Sequence, residues 1–266
     1  MTFRRRAVLG LLTAMAIASL AAPLIGWAQD RFGGDAEAIP PNPSYDGRFT
    51  FARIRYEQHA GELGRGSLGR FGGRGDVKWA HDYPRGERHF TRIVGEISTI
   101  RSRTAESAIF TLDDPELTKY PVAYMCEAGY WQPSEAEITG LRNYLLKGGF
   151  IIFDDFAGSQ WDNFVVQMRR VFPELEPLRM TPDDGVFDAF YHITALNYTH
   201  PYFGVAAEFW GIYENNDRNG RLLAMINYNN DLSEYWEFSD EQWFPVAMSN
   251  DAYKLGINYL VYALTR

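Results

Sequence analysis

The chain has 266 residues, 46% of them hydrophobic, and a formal net charge of −8 from 26 basic and 34 acidic side chains. That is enough apolar material for a sizeable core, and the acidic balance argues against a general nucleic-acid binder. A single cysteine, Cys126, excludes an intramolecular disulfide and a structural zinc site of the multi-cysteine type, so the core must carry the stability by itself.

Residues 1–28 read as an export signal. Three arginines precede an apolar run, and the small-residue stretch "GWA" ends at Ala28, before Gln29. Arg5 and Arg6, followed by Ala7, Val8 and Leu9, resemble the twin-arginine signal, and the run is only moderately hydrophobic, which suits that route. A general secretory signal and a retained membrane anchor are the alternatives. No later run reaches the ~18–20 apolar residues of a membrane span, so the mature chain is expected to lack one and to work in the periplasm. Cleavage near Ala28 removes three positive charges and takes the net charge from −8 to −11. The remaining charge is uneven: residues 48–103 carry a net +6 and residues 104–266 a net −14. Mutual attraction of the two parts within one fold accounts for this, as does an anion site on the basic part.

Residues 29–47, rich in Pro, Gly and Asp, form a linker, and residues 48–266 are read as one domain. "FTFARIRYE" (49–57) alternates apolar and polar residues as a strand does. A Gly/Arg loop follows. Residues 84–101 place Phe90, Ile93, Val94 and Ile97 on one helical face. "SAIFTLDD" and "YPVAYMCEAG" have strand length. "SEAEITGLRNYLLKGG" carries a capping box, Ser134 with Glu137, and turns Ile138, Leu141 and Leu145 inward. Gly148 or Gly149 ends this helix. "FIIFDDF" is apolar enough to be a parallel strand buried on both faces. "WDNFVVQMRRVF" is a helix with Trp161, Phe164, Val165, Met168 and Phe172 inward. "FWGIYE" and "RLLAMINYN" are paired strands around "NNDRNG", and "DAYKLGINYLVYALTR" is a buried C-terminal helix. The alternation of strand and helix from 120 to 172 predicts an α/β sandwich with a mostly parallel sheet.

Taken together, "FARIRYE", "VKWAHDYP", "YPVAYMCEAGYWQPSEAEITGLRNYLLKGGFIIFDDF", "INYNNDLSEYWE" and "LGINYLVYALT" resemble the bacterial family of domain of unknown function 4159 over residues 48–265. The resemblance implies a flavodoxin-like, three-layer sandwich akin to the class I glutamine amidotransferases. It implies no established activity. Members standing beside membrane proteins of a cell-envelope complex imply an accessory or binding role with envelope or membrane protein partners.

In an amidotransferase-like fold a nucleophilic cysteine sits at a strained turn between a strand and a helix. "FIIFDDF" is the strand expected to lead into that turn, and it supplies Asp154 and Asp155 rather than Cys or Ser. Cys126 ends the preceding strand beside Glu127, an unfavourable setting for a thiolate, and free cysteines are most often buried. The carboxylates stand where α/β sheets bind ligands, beyond the C-terminal ends of parallel strands. Adjacent strand residues face opposite ways, so only one of Asp154 and Asp155 is expected in a given pocket. Candidate pocket residues are Glu127, Tyr130, Trp131, Asp154 and Asp155, with Asn229, Asn230, Asp231 and Trp236 from "YNNDLSEYW", a stretch that reads as a turn and would suit carbohydrate contact. "GRGSLG" (64–69) fits G-x-G-x-x-G but runs into "RFGGRGD" instead of a helix, so it is read as a loop whose Arg65, Arg70 and Arg74 could grip an anion or an acidic partner. His59, His81, His89, His192 and His200 show no ligand spacing, so neither a metal nor another cofactor is expected. Two functions follow: an exported, non-catalytic binding module of the envelope, or an envelope hydrolase acting on a carbohydrate-like substrate through the strand-end carboxylates.

Overall fold

The computed structural model describes residues 39–57 and 77–266. Arg5, Arg6, His59, Arg65, Arg70 and Arg74 lie outside them. Seven strands occur among the described residues: β1 (Ala52–Ile54), β2 (Ala108–Phe110), β3 (Val122–Cys126), β4 (Phe150–Phe156), β5 (Leu178–Arg179), β6 (Glu208–Tyr213) and β7 (Leu222–Tyr228). They form one mixed sheet in the order β2-β1-β3-β4-β7-β6-β5. Every pairing from β2 to β7 is parallel, and β7–β6 and β6–β5 are antiparallel. The architecture is therefore α/β with a mostly parallel sheet.

Alternation along the strands divides the core into two halves. Ala123, Met125, Ile151 and Phe153 face one side with Leu141, Leu145, Phe164 and Met168. These last four come from α2 (Glu135–Leu146) and α3 (Gln160–Val171). Val122, Tyr124, Cys126, Phe150 and Ile152 face the other side. There they meet α1 (Arg85–Ile97), α4 (Leu232–Glu237) and α5 (Val246–Thr265). Helices thus cover both faces, which is why β4 is buried at all seven positions and reads as a continuous apolar run.

Local chemistry sets the helix ends. Ser134 accepts from the Glu137 amide and the Glu137 side chain accepts from the Ser134 amide, so the capping box starts α2. Gly148, at φ 109°, turns the chain out of that helix toward β4. Gly140 lets α2 close on the loop after β2, because a Cβ there would lie 2.0 Å from the Leu112 carbonyl oxygen.

One feature of β1 is invisible to periodicity. Arg53 is fully buried and ion-paired with Glu87 of α1, itself 2% exposed. Its Nη1 donates to the Trp79 carbonyl at 2.8 Å, and its guanidinium lies 5.1 Å from the Tyr124 ring centroid. The pair ties α1 and the 3-10 turn Lys78–Ala80 to the sheet. "YNNDLSEYW", expected to be a turn, instead turns only at Asn229 and becomes α4 from Leu232. Asp231 caps that helix by accepting from the Glu234 amide at 2.9 Å.

Candidate functional site

The chain runs from β1 outward to β2, then returns to place β3 on the other side of β1. This reversal creates a switch point between β1 and β3, where segments leaving the strand ends diverge and α/β proteins seat ligands. Four non-glycine residues adopt left-handed backbone near these ends: Asp82 (φ 61°), Glu127 (50°), Asp155 (57°) and Asn229 (57°). Each such residue costs about 1–3 kcal/mol, and strain of this kind gathers at functional sites.

The strain at Asp155 has a direct structural effect. The β4–β7 register shifts between Phe153 and Phe156, with the Asp155 amide donating to the Asn230 carbonyl at 3.1 Å. The bulge cancels strand alternation. Asp154 receives the Tyr124 hydroxyl at 2.7 Å, and Asp155 lies 3.4 Å from the Cys126 thiol, although Tyr124 and Cys126 share one face of β3. The expectation that only one of the two aspartates enters a pocket is corrected: both turn to the α1/α4 side.

Glu127 and Asp155 approach each other at the rim. His81 Nδ1 lies 2.7 Å from Glu127 Oε1 and 3.8 Å from Asp155 Oδ2, and Lys78 Nζ lies 3.1 Å from the same Glu127 oxygen. The Tyr56 hydroxyl lies 2.9 Å and 2.7 Å from the Cys126 and Glu127 carbonyl oxygens, fixing the turn from below. Behind this pair, the Ser233 hydroxyl reaches Asp82 Oδ2 at 2.5 Å and Asp231 Oδ1 at 3.2 Å, and lies 2.7 Å from the Tyr124 hydroxyl oxygen. Asp154 Oδ2 also accepts the amides of Leu232 (2.8 Å) and Ser233 (3.3 Å), so it anchors the first turn of α4.

Burial shapes the electrostatics. It pushes Asp154 up to about 6, Glu234 to about 8 and Glu237 to about 9, with the Asp82 charge adding to the last two. Asp155 rises well above the carboxylate range through burial and the nearby Glu127, and Asp231 through burial and Asp155. Burial lowers His200 to about 4, so its imidazole is neutral. The Cys126 thiol is fully buried and pushed well up by burial and by Asp155 and Asp82. It stays protonated, the opposite of a nucleophilic thiolate.

Among the described residues, three sets of side chains place ligand atoms within 4.8 Å of one another: His81, Glu127 and Asp155; Asp82, Cys126 and Asp155; and His200, Asp231 and Glu234. The first could hold a cation only by displacing the Lys78 and His81 contacts to Glu127. The second requires a thiol that resists ionisation. In the third, the Tyr202 amide points to His200 Nδ1 at 3.4 Å, a contact that favours the proton on Nε2, the atom facing Glu234 at 3.3 Å. Histidine spacing gave no sign of any of these groupings, because the loop after β1 delivers His81 and the segment before β6 delivers His200.

A sequence profile described as domain of unknown function (DUF4159) matches residues 50–264. The chain belongs to this family. No curated protein matches it.

In this DUF4159 protein the other candidate residues take different places. Tyr130 is half-buried with Lys78 Nζ 4.7 Å from its ring centroid, beside Glu127. Trp131 and Trp236 are 0% and 1% exposed, so neither ring offers a contact surface. Trp131 packs near Phe153, and Trp236 lies between Phe90 and Tyr253. Asn229 accepts from the Gly158 amide at 3.3 Å and donates to the Ala206 carbonyl at 3.4 Å. Asn230 is 2% exposed, and Asp231 is the α4 cap. Sequence reasoning missed Asp82, Ser233, Glu234 and Glu237. An Asp-x-x-Glu spacing from Asp231 to Glu234 was the available sign of a helix start there.

Proposed function

We propose that this protein is an exported, non-catalytic binding module of the cell envelope, with a glutamine-amidotransferase-like fold and a recognition surface at the strand-end rim around Glu127 and Asp155. One observation carries this reading. The strained positions at the ends of β3 and β4 hold carboxylates, Glu127 and Asp155, while the chain's sole thiol is sealed beneath them. The carboxylates have structural work of their own, since Asp154 holds α4 and Glu127 holds Lys78 and His81. Partners with basic or hydrogen-bonding surfaces suit such a rim.

The test is in-cell chemical cross-linking, followed by mass spectrometry of what stays attached to the purified mature chain. A partner recovered with the wild type and lost with Glu127→Gln plus Asp155→Asn supports the module. Equal recovery from both refutes a role for the rim. Export is tested by fusing residues 1–30 to a reporter. Replacing Arg5 and Arg6 by Lys is expected to stop translocation, and unchanged export would refute the twin-arginine route.

A second reading, an envelope hydrolase on a carbohydrate-like substrate, draws on one feature. Oxygens of Glu127 and Asp155 lie within 4.8 Å, near the ~5–5.5 Å carboxyl spacing of retaining glycosidases. Glu127 faces the Lys78 ammonium and the His81 ring while Asp155 is raised, a division that suits a nucleophile beside an acid. Release of reducing ends from envelope polysaccharide, abolished by Glu127→Gln, would favour it.

A further inference from the structure

Next to the rim, a half-open cavity of about 190 Å³ lies between the loop after β7, α4, α5 and residues 197–199. Its lining includes Tyr198, Asn230, Leu232, Tyr235, Asp251 and Leu255. We propose that this cavity binds a single neutral sugar ring, gripped through Asn230 and covered by the tyrosines.

Size limits the ligand first. The volume equals roughly six waters and falls below the ~300 Å³ of ordinary drug-sized pockets, which leaves room for one ring and little more. Polarity limits it next. Asn230 is 2% exposed, and its carboxamide hydrogen-bonds to none of the described residues, yet it lines the cavity. A carboxamide offers two donors and an acceptor, which a ligand that displaces water from the cavity has to match. Its neighbour Asn229, by contrast, is engaged on both sides. A purely apolar ligand would leave the Asn230 amide stranded, whereas a pair of hydroxyls would satisfy it.

Charge excludes another class. Asp251 is the one charged side chain among the lining residues, and Lys254 Nζ sits 3.1 Å from it. The cavity presents no spare cation to a phosphate or carboxylate. The half-buried Tyr198 supplies ring surface beside these polar groups, with Tyr235 in the wall. That combination matches a pyranose, which has C–H groups on its faces and hydroxyls around its edge.

The position is held rigidly. The Asn230 carbonyl accepts from the Asp155 amide at 3.1 Å, and the Leu232 amide donates to Asp154 at 2.8 Å, so the cavity floor is fastened to the strand ends. The inference rests on the binding-module reading and gives its loop a ligand class. It fails separately, because the partner test uses Glu127 and Asp155 whereas this test uses Asn230 and Met248.

The experiment is saturation-transfer NMR and calorimetry on the mature protein, with D-glucose, N-acetylglucosamine and, as anionic control, glucose 6-phosphate. At least one neutral sugar should bind saturably, and glucose 6-phosphate should bind more weakly than glucose. Asn230→Ala should weaken binding roughly tenfold or more, the effect of losing one well-made hydrogen-bonded contact. Met248→Trp, at an exposed lining position, fills the mouth without touching the core and should abolish binding even if Asn230→Ala disturbs its loop. Absence of saturable binding to tens of millimolar, binding indifferent to both variants, or equal affinity for glucose 6-phosphate would each overturn the proposal.

Discussion

Asp154→Ala separates a structural carboxylate from a ligand-binding one. Asp154 is fully buried, and its Oδ2 accepts from the Tyr124 hydroxyl and from the amides of Leu232 and Ser233. Alanine removes the acceptor and leaves two backbone N–H groups and a phenol facing a dry site. Stranding a buried donor costs about 1–3 kcal/mol, and relaxation of α4 recovers part of the total, so a loss of about 3–6 kcal/mol is expected. Asp154→Asn keeps an acceptor at the Oδ2 position and places its NH2 where Oδ1, which has no hydrogen-bond partner among the described residues, now sits. Its cost should be smaller, about 1–2 kcal/mol. Urea unfolding followed by tryptophan fluorescence measures both, because Trp236 lies on the helix that Asp154 anchors. An alanine variant within 1 kcal/mol of wild type, or an asparagine variant as damaging as alanine, would refute the anchoring argument.

Other outcomes are open to measurement. Between pH 7 and 9 stability should fall as pH rises: Glu234 and Glu237 have folded pKa values raised to about 8 and about 9, so in that window the native state holds protons that the unfolded state has released. Asp155 and Asp231, also raised by burial, add to the same slope, so Glu234→Gln plus Glu237→Gln should reduce but not remove it in a plot of urea midpoint against pH; a midpoint that rises with pH would contradict the sign. Cys126 in native protein should resist an aromatic disulfide reagent at pH 8 and react only at the rate of unfolding, and fast stoichiometric labelling would show that the thiol is neither sealed nor protonated. Arg53→Met should destabilise by about 3–5 kcal/mol by leaving Glu87 buried without its partner, and Arg53→Met with Glu87→Met should recover much of that loss; a double variant no better than the single would refute the pairing argument.

Sequence by itself determined the parts governed by neighbours in the chain. The Ser134–Glu137 box and the spacing of Ile138, Leu141 and Leu145 specify α2, since caps and helical faces depend on residues three or four apart. The unbroken apolar run of Phe150–Phe153 announced a strand covered on both sides, and "FWGIYE" with "RLLAMINYN" announced the antiparallel pair β6–β7. That "FIIFDDF" brings Asp154 and Asp155 rather than Cys or Ser to its end was also legible, because it depends only on which residues are present. Tertiary structure decided how the polar residues combine. A bulge at Asp155, stabilised by a backbone bond to Asn230, overrode the alternation that would have parted Asp154 from Asp155. Asp82 and Ser233, 151 positions apart, meet only because α4 packs against the start of α1. Burial then moved the carboxyl pKa values, and burial depends on the whole fold around a side chain rather than on its neighbours in sequence.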